Sequence, residues 1–268
     1  MEYVKAMRPA MGVFSLLLCL ASLRLQAPIF VHQHPFRTVM LLIAVFCGVS
    51  ATMLWNDYTD KQHDARKGKM HAQYHSQRYS TLARWLWCIC ASCVVWADGQ
   101  NKYWLSLGIF TLCLAGLFYD LTYRVTGLSM VVVGVASASV TLFALLLDQP
   151  RQPLFGFVLF VSVTLTLWAR EILKDLDDTV VDRGYKRTLP AVWGRKTATL
   201  ACGIMLLAST LIAAVFRNEL PFLAITLSSL VAGVSVLMLR KPERIGKTII
   251  DVGMAIALFT LLTSSVGS

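Results

Sequence analysis

Two short acidic segments stand out in a chain that is otherwise rich in apolar residues. They span residues 56–64 and 170–182, and together they hold eight of the fifteen acidic residues. Asn56, Asp60 and Asp64 are four residues apart, so a helix would place all three on one face. The second segment has a four-three-four spacing with the same consequence, in Glu171, Asp175, Asp178 and Asp182.

Acidic faces of this kind need a compensating charge. Unpaired like charges at helical spacing destabilise a helix by about 0.2–0.5 kcal/mol per pair, and divalent cations favour carboxylate oxygens as ligands. Basic residues interleave with the aspartates in both segments. This mixture is suited to an anionic ligand held jointly by metal and side chains, above all a diphosphate. The segments therefore predict two metal-binding faces with an anionic ligand.

The composition places these faces beside a membrane. Apolar residues make up 56% of the 268 positions and charged residues 15%, and the mean hydropathy is +0.62. These values predict an all-α, polytopic membrane protein with a single membrane domain over residues 1–268. Runs long enough to cross a bilayer predict about nine helices around a central cavity. The predicted spans are 9–30, 38–55, 82–97, 103–119, 127–147, 154–170, 197–216, 221–239 and 248–265.

The distribution of lysine and arginine predicts the orientation. With the N-terminus in the cytosol, twenty of the twenty-five basic residues fall on the cytosolic side. Arg24 lies inside the first span, and four others fall on the opposite side, namely Arg37, Lys102, Arg151 and Arg217. Both acidic segments therefore face the cytosol in this integral membrane protein. The net charge of +10 is explained by topology and anionic headgroups, so no nucleic-acid partner is expected.

Both segments resemble the signatures of a known family. Asn56-Asp57-x-x-Asp60-x-x-x-Asp64 follows the second span, and Asp175-x-x-Asp178-x-x-x-Asp182 follows the sixth. In sequence and position they are similar to the two aspartate motifs of the UbiA-type intramembrane prenyltransferases, and the resemblance extends over essentially the whole chain. The second motif also has flanks like those of the family, in Arg170-Glu171, Lys174-Asp175 and residues 187–190.

The resemblance implies an enzyme that uses Mg²⁺ and an allylic prenyl diphosphate. Its implied metal ligands are Asn56, Asp57, Asp60, Asp64, Asp175, Asp178 and Asp182. Its implied diphosphate contacts are Asn56, Arg66, Lys67, Lys174 and Arg183. The residues with implied catalytic roles are Asp60, Asp64, Asp178, Asp182, Tyr119 and Tyr123. Aromatic faces stabilise a carbocation by about 0.5–2 kcal/mol each, although an interfacial belt is an equally good interpretation of the two tyrosines.

The sequence departs from the family pattern in two places that concern the acceptor. Residues 67–75 lack the Arg-Pro-x-Pro-Ser-Gly stretch that many members carry after the first motif. Tyr123 occupies the position of a frequent lysine, and Arg124 follows it. The expected reaction is prenyl transfer to an aromatic or other hydrophobic acceptor, with loss of diphosphate. A lipid alcohol acceptor of the prenylated glycerol phosphate type and an acceptor-free terpene cyclase are the alternatives.

The sequence also leads to expectations for two further acidic residues. Asp177 points away from the second acidic face and is expected to be exposed. Asp251 is a lone acid at the start of the ninth span. It is expected either to pair with an arginine on the cytosolic side or to line the chamber, and the sequence leaves both alternatives open.

Overall fold

The computed structural model describes residues 9–66, 76–99, 104–147, 153–182, 184, 186–216, 218–239 and 242–263. These residues form twelve α-helices, three 3₁₀ segments and no strands. The helices are α1 (Pro9–Gln26), α2 (Pro28–Gln33), α3 (Pro35–Thr59), α4 (Lys61–Arg66), α5 (Ser76–Asp98), α6 (Trp104–Leu117), α7 (Leu128–Ala138), α8 (Pro153–Asp182), α9 (Leu189–Trp193), α10 (Arg195–Ala213), α11 (Leu220–Met238) and α12 (Pro242–Thr263). The 3₁₀ segments are Tyr119–Arg124, Ser139–Leu146 and Ala214–Phe216.

The all-α membrane architecture is confirmed. Within the described residues, seven helical stretches are long and apolar enough to cross a bilayer, and Met11–Gln26 and Leu105–Leu117 are shorter apolar helices. Each of the nine predicted spans overlaps one of these nine stretches. The helix of the sixth span is much longer than predicted, since it runs to Asp182. The central cavity stays a prediction.

Prolines mark several helix starts. Pro28, Pro35, Pro190 and Pro221 each lie in the first turn of a helix, where the missing N–H has no intrahelical partner to lose. The first predicted span illustrates the effect, because α1 ends at Gln26 and Pro28 begins a new helix. Residues 9–30 are therefore divided between two helices.

The chain divides into two compact units. Unit 1 comprises residues 1–121 and 143–151, and unit 2 comprises residues 122–142 and 152–268. The prediction of one membrane domain over residues 1–268 is not tested by this division and stays a prediction.

In unit 1, α3 is the central helix. It packs along α5 and also contacts α1 and α6. Small residues allow the close approach: a side chain at Gly116 of α6 would lie 2.7 Å from Thr52 of α3. Gly48 of α3 likewise lies against Cys90 of α5. Small residues are the usual means by which membrane helices pack closely, and here they fix the helix that ends in the first acidic motif.

In unit 2, α8 is the central helix and contacts α7, α9, α10 and α12. Its apolar residues enter a buried core together with residues of α10, α11 and α12. Buried hydroxyl groups add polar contacts between helices, since Ser209 of α10 lies 3.1 Å from Thr166 of α8 and donates to the Ser162 carbonyl at 3.0 Å. The second acidic motif is therefore carried on a helix that is packed against several others in its unit.

Candidate active site

The rotation of α8 about its axis is fixed by an apolar stripe. Ala169, Ile172, Leu173 and Leu176 are all buried in the core of unit 2, and their three- and four-residue spacing defines one helical face. The acidic residues Glu171, Asp175 and Asp178 occupy other positions of the helix and form a different face. Burial of the stripe therefore determines where the acidic face points.

The second motif has the helical arrangement that its spacing predicts. Glu171, Asp175 and Asp178 lie on the single helix α8; Glu171 is buried, and the two aspartates are half-buried. Asp177 is exposed, which confirms the expectation for that residue. Asp182 is the last residue of α8, and its side chain lies outside the described residues, as does Arg183.

Four charged side chains form a chain of ion pairs at this helix, which we name the charge tetrad: Asp251, Arg170, Glu171 and Lys174. Arg170 Nε donates to Asp251 Oδ1 at 2.6 Å, and Arg170 Nη1 lies 3.4 Å from Glu171 Oε1. Lys174 Nζ donates to Glu171 Oε2 at 2.9 Å. Of the two alternatives that the sequence left open for Asp251, the pairing with an arginine is the one that the structure shows.

The first motif lies where two helices meet in unit 1. Asn56 and Asp57 are in the last turn of α3, Asp60 is its C-cap residue, and Asp64 belongs to α4. The Asn56 carbonyl accepts the Asp60 backbone N–H at 2.8 Å and the Thr59 hydroxyl at 3.1 Å. The four-residue spacing suggested one continuous helix, whereas α3 ends at Thr59 and α4 begins at Lys61. Whether the three side chains share a face is not decided by the described residues.

Two carboxylates of the first motif are withdrawn from solvent. Asp57 and Asp60 expose 4% and 3% of their surface. Burying a carboxylate is costly unless it is hydrogen-bonded or paired. Their position adds to this cost, because the C-terminal end of a helix carries partial negative charge and favours cations. The end of α3 is thus a place that favours a bound cation.

Aromatic side chains lie next to the first motif along α3, and sequence reasoning missed them. The Trp55 ring lies 5.3 Å from Tyr58 and 5.4 Å from Trp87, measured between ring centroids. Lys61 Nζ lies 5.0 Å from the Tyr58 ring centroid, a cation–π contact. The signal that could have revealed the pair on α3 is the three-residue spacing of Trp55 and Tyr58.

A cavity of about 300 Å³ lies beside the end of α8 and the segment that follows it. Lys186 and Arg187 contribute positive charge to it, and Thr179 contributes a hydroxyl group. The backbone N–H of Gly127 donates to the Arg187 carbonyl at 3.4 Å and so ties this segment to the start of α7. Neither Lys186 nor Arg187 was among the predicted diphosphate contacts, although Arg187 was noted as a flank of the second motif.

Several predicted site residues lie outside the part of the chain that can be described. Lys67 is one of them, and the same holds for the side chains of Asp64, Arg66 and Tyr123. Tyr119 is half-buried and begins the 3₁₀ segment after α6. The proposed roles of these residues stay predictions.

The donors in both motifs are oxygen atoms, which are the ligands that Mg²⁺ prefers. Among the described residues, no three His, Cys, Asp or Glu side chains are placed to hold a metal ion together. This arrangement still fits Mg²⁺, which usually takes one or two protein carboxylates and completes its shell with water and substrate phosphates. Each unit supplies such carboxylates at the end of a long helix.

Comparison with known proteins decides the family. The sequence profile of the UbiA prenyltransferase family matches residues 14–250. The chain belongs to this family. A search of curated proteins finds no match.

Solved structures of UbiA homologues have the same fold. One, from Archaeoglobus fulgidus and bound to GPP and Mg²⁺, has a TM-score of 0.69 at 10% identity, covering 98% of this chain and 100% of that one. A digeranylgeranylglyceryl phosphate synthase has a TM-score of 0.68 at 16% identity, with 99% of each chain covered. An apo homologue from Aeropyrum pernix K1 has a TM-score of 0.63 at 15% identity, covering 95% of each chain. At such identities the likeness is one of fold.

Proposed function

We propose that this UbiA family member transfers a prenyl group from an allylic prenyl diphosphate to an aromatic or other hydrophobic acceptor, with Mg²⁺ as cofactor. The observation that carries the proposal is the pair of carboxylate groups at the ends of α3 and α8. Both lie on long apolar helices, beside basic residues, in a chain of this family. Such groups are suited to hold the cations that neutralise a leaving diphosphate.

The chemistry begins with ionisation of the donor. The bond between the allylic carbon and the diphosphate oxygen breaks, and its electron pair leaves with the diphosphate. Mg²⁺ would supply charge stabilisation of that leaving group. Asn56, Asp57, Asp60 and Asp64 would hold it in one unit, and Asp175, Asp178 and Asp182 in the other.

Basic side chains would bind the diphosphate directly. Lys174 is the candidate with a described position, since its ammonium group lies on α8 one residue before Asp175. Arg66, Lys67 and Arg183 are proposed for the same role from the family resemblance. Preorganised cations of this kind stabilise the charge that develops in the transition state.

The allylic cation then needs protection and a nucleophile. An apolar helical environment excludes water, which would otherwise convert the cation to a prenyl alcohol. Tyr119 and Tyr123 are proposed to stabilise the cation through their ring faces. An electron-rich aromatic carbon of the acceptor attacks it, a carbon–carbon bond forms, and the ring proton is released to restore aromaticity.

We place the site on the cytosolic side. The twenty-to-four distribution of basic residues between the two sides supports this orientation. This orientation can be tested in sealed vesicles of known orientation. A membrane-impermeant carboxylate or thiol reagent is added, and its reaction at engineered positions near Asp57 is compared with that at positions near Arg217.

A lipid alcohol is the second candidate acceptor. The fold likeness to a digeranylgeranylglyceryl phosphate synthase, at a TM-score of 0.68, is the observation that favours it. An aromatic acceptor is preferred because an electron-rich ring attacks a cation without needing a strong general base. Attack by an alcohol forms a carbon–oxygen bond and requires removal of the hydroxyl proton.

The deciding experiment incubates the purified protein with labelled geranyl, farnesyl or geranylgeranyl diphosphate, Mg²⁺ and a panel of aromatic and glycerol phosphate acceptors. Products are identified by mass. A prenylated aromatic product supports the proposal. A prenylated glycerolipid would show that the acceptor is a lipid alcohol, and cyclised hydrocarbons would show that the enzyme is a cyclase. If no donor is consumed in a Mg²⁺-dependent way, the proposal is overturned.

A further inference from the structure

Both carboxylate oxygens of Glu171 lie close to basic side chains of the same helix. Oε2 accepts a hydrogen bond from Lys174 at 2.9 Å, and Oε1 faces Arg170 at 3.4 Å. Each oxygen therefore has its own cation from the protein. A carboxylate in this state is arranged to hold side chains, whereas Asp175 and Asp178 are the residues proposed to hold metal.

Lys174 is the member of the charge tetrad best placed to meet a ligand. Its side chain is 42% exposed, compared with 11% for Glu171. An ammonium group carries three N–H donors, so it can hold Glu171 and a phosphate oxygen at the same time. The bond to Glu171 restrains a side chain that would otherwise lose much rotamer freedom on binding.

Arg170 is a potential competitor for Glu171. A guanidinium group pairs best with a carboxylate through two parallel hydrogen bonds, which would occupy both oxygens of Glu171. It does not do so here, because Arg170 Nε is bonded to Asp251 of α12 at 2.6 Å, and its approach to Glu171 is the longer one. Asp251 therefore draws Arg170 away and leaves Oε2 of Glu171 to Lys174.

We propose that Asp251 is a positioning residue: by restraining Arg170, it preserves the Glu171–Lys174 pair and thereby holds the Lys174 ammonium group ready for the diphosphate. This inference rests on the proposed function, since it assigns a role within that same site. Asp251 itself touches neither substrate nor metal in this scheme. Its effect is on the affinity for the diphosphate, and it passes through two intervening side chains.

The test measures Mg²⁺-dependent binding of geranyl S-thiolodiphosphate, an unreactive donor analogue, to the purified protein in nanodiscs. Replacing Asp251→Asn keeps the shape and removes the charge, so we expect Kd to rise by about fivefold to tenfold, as a charge-assisted hydrogen bond is lost. Adding Arg170→Gln removes the competitor. The double variant should then return to within about twofold of the wild-type Kd, because the effects of coupled residues do not add.

A second mutant cycle tests whether the effect of Asp251 passes through Lys174. In a Lys174→Met background, which already lacks the ammonium group, Asp251→Asn should change Kd no further. The control is Asp177→Asn, an exposed charge on the same helix, which should bind as the wild type does. Melting temperatures of all variants show whether each one is folded.

The outcomes separate the two proposals. If the wild-type protein shows no Mg²⁺-dependent binding, the proposed function fails and this inference fails with it. If the wild type binds but Asp251→Asn binds equally well, only the inference is overturned. If the double variant with Arg170→Gln binds as weakly as Asp251→Asn alone, Asp251 is a structural tether and the positioning role is wrong.

Discussion

Gly134 offers a sharp test of how α8 is held. A Cβ atom at this position of α7 would lie 2.1 Å from Cδ1 and 2.4 Å from Nε1 of Trp168. Indole is a rigid ring, so it cannot yield at one end as a flexible chain does. In a Gly134→Ala variant, either Trp168 must leave its rotamer or α7 must move away from α8.

The expected cost follows from three contributions. Overpacking of a close helix contact costs about 1–3 kcal/mol. Displacing Trp168 also breaks the bond from its Nε1 to the Val131 carbonyl, 3.3 Å long, worth about 1 kcal/mol. Alanine returns about 1 kcal/mol through its higher helix propensity. The net destabilisation is therefore about 2 kcal/mol, or a fall in melting temperature of about 4–8 °C.

The assay is thermal unfolding in nanodiscs, with Gly108→Ala as the matched control. Gly108 is also within an apolar helix, but a Cβ there would meet its nearest neighbour, Leu146, at 3.4 Å, an ordinary contact. We expect this variant to be as stable as the wild type or slightly more stable. Equal melting temperatures for Gly134→Ala and Gly108→Ala would refute the packing argument. Prenyl transfer should fall with Gly134→Ala, because Trp168 lies three residues before Glu171.

Three more outcomes are expected. Asp60→Ala and Asp178→Ala should each lower turnover by about a hundredfold or more, and EDTA should abolish turnover of the wild type. Near-normal turnover of either variant would contradict the assignment. Ser209→Ala removes buried hydroxyl contacts to Thr166 and the Ser162 carbonyl and should cost about 0.6–1.7 kcal/mol in unfolding experiments. Arg37→Ala removes hydrogen bonds to the Ala97 and Asp98 carbonyls at the end of α5. It should lower the free energy of unfolding by about 1.5–3 kcal/mol, while the Kd for the prenyl diphosphate stays unchanged. A weaker affinity for the prenyl diphosphate would contradict a purely structural role.

The apolar runs and the spacing of the acidic residues were sufficient to predict the helices and the helical face of the second motif. Apolar runs define the membrane helices because every backbone polar group in a bilayer must be paired within its own segment, so hydropathy and structure coincide. The four-three-four spacing of the second motif similarly predicts its helical face, since α8 continues without a break to Asp182. The exposure of Asp177 follows from the same periodicity.

Tertiary structure decided which acidic residues are buried and which charged residues they contact. The end of α3 before Asp60 and the burial of Asp57 are not encoded by the spacing of the motif. The sequence left Asp251 with two alternatives because its partner is 81 residues away, and only the packing of α12 against α8 brings Arg170 to it. Ion pairs over such distances are set by the arrangement of whole helices, whereas periodicity reports only on residues a few positions apart.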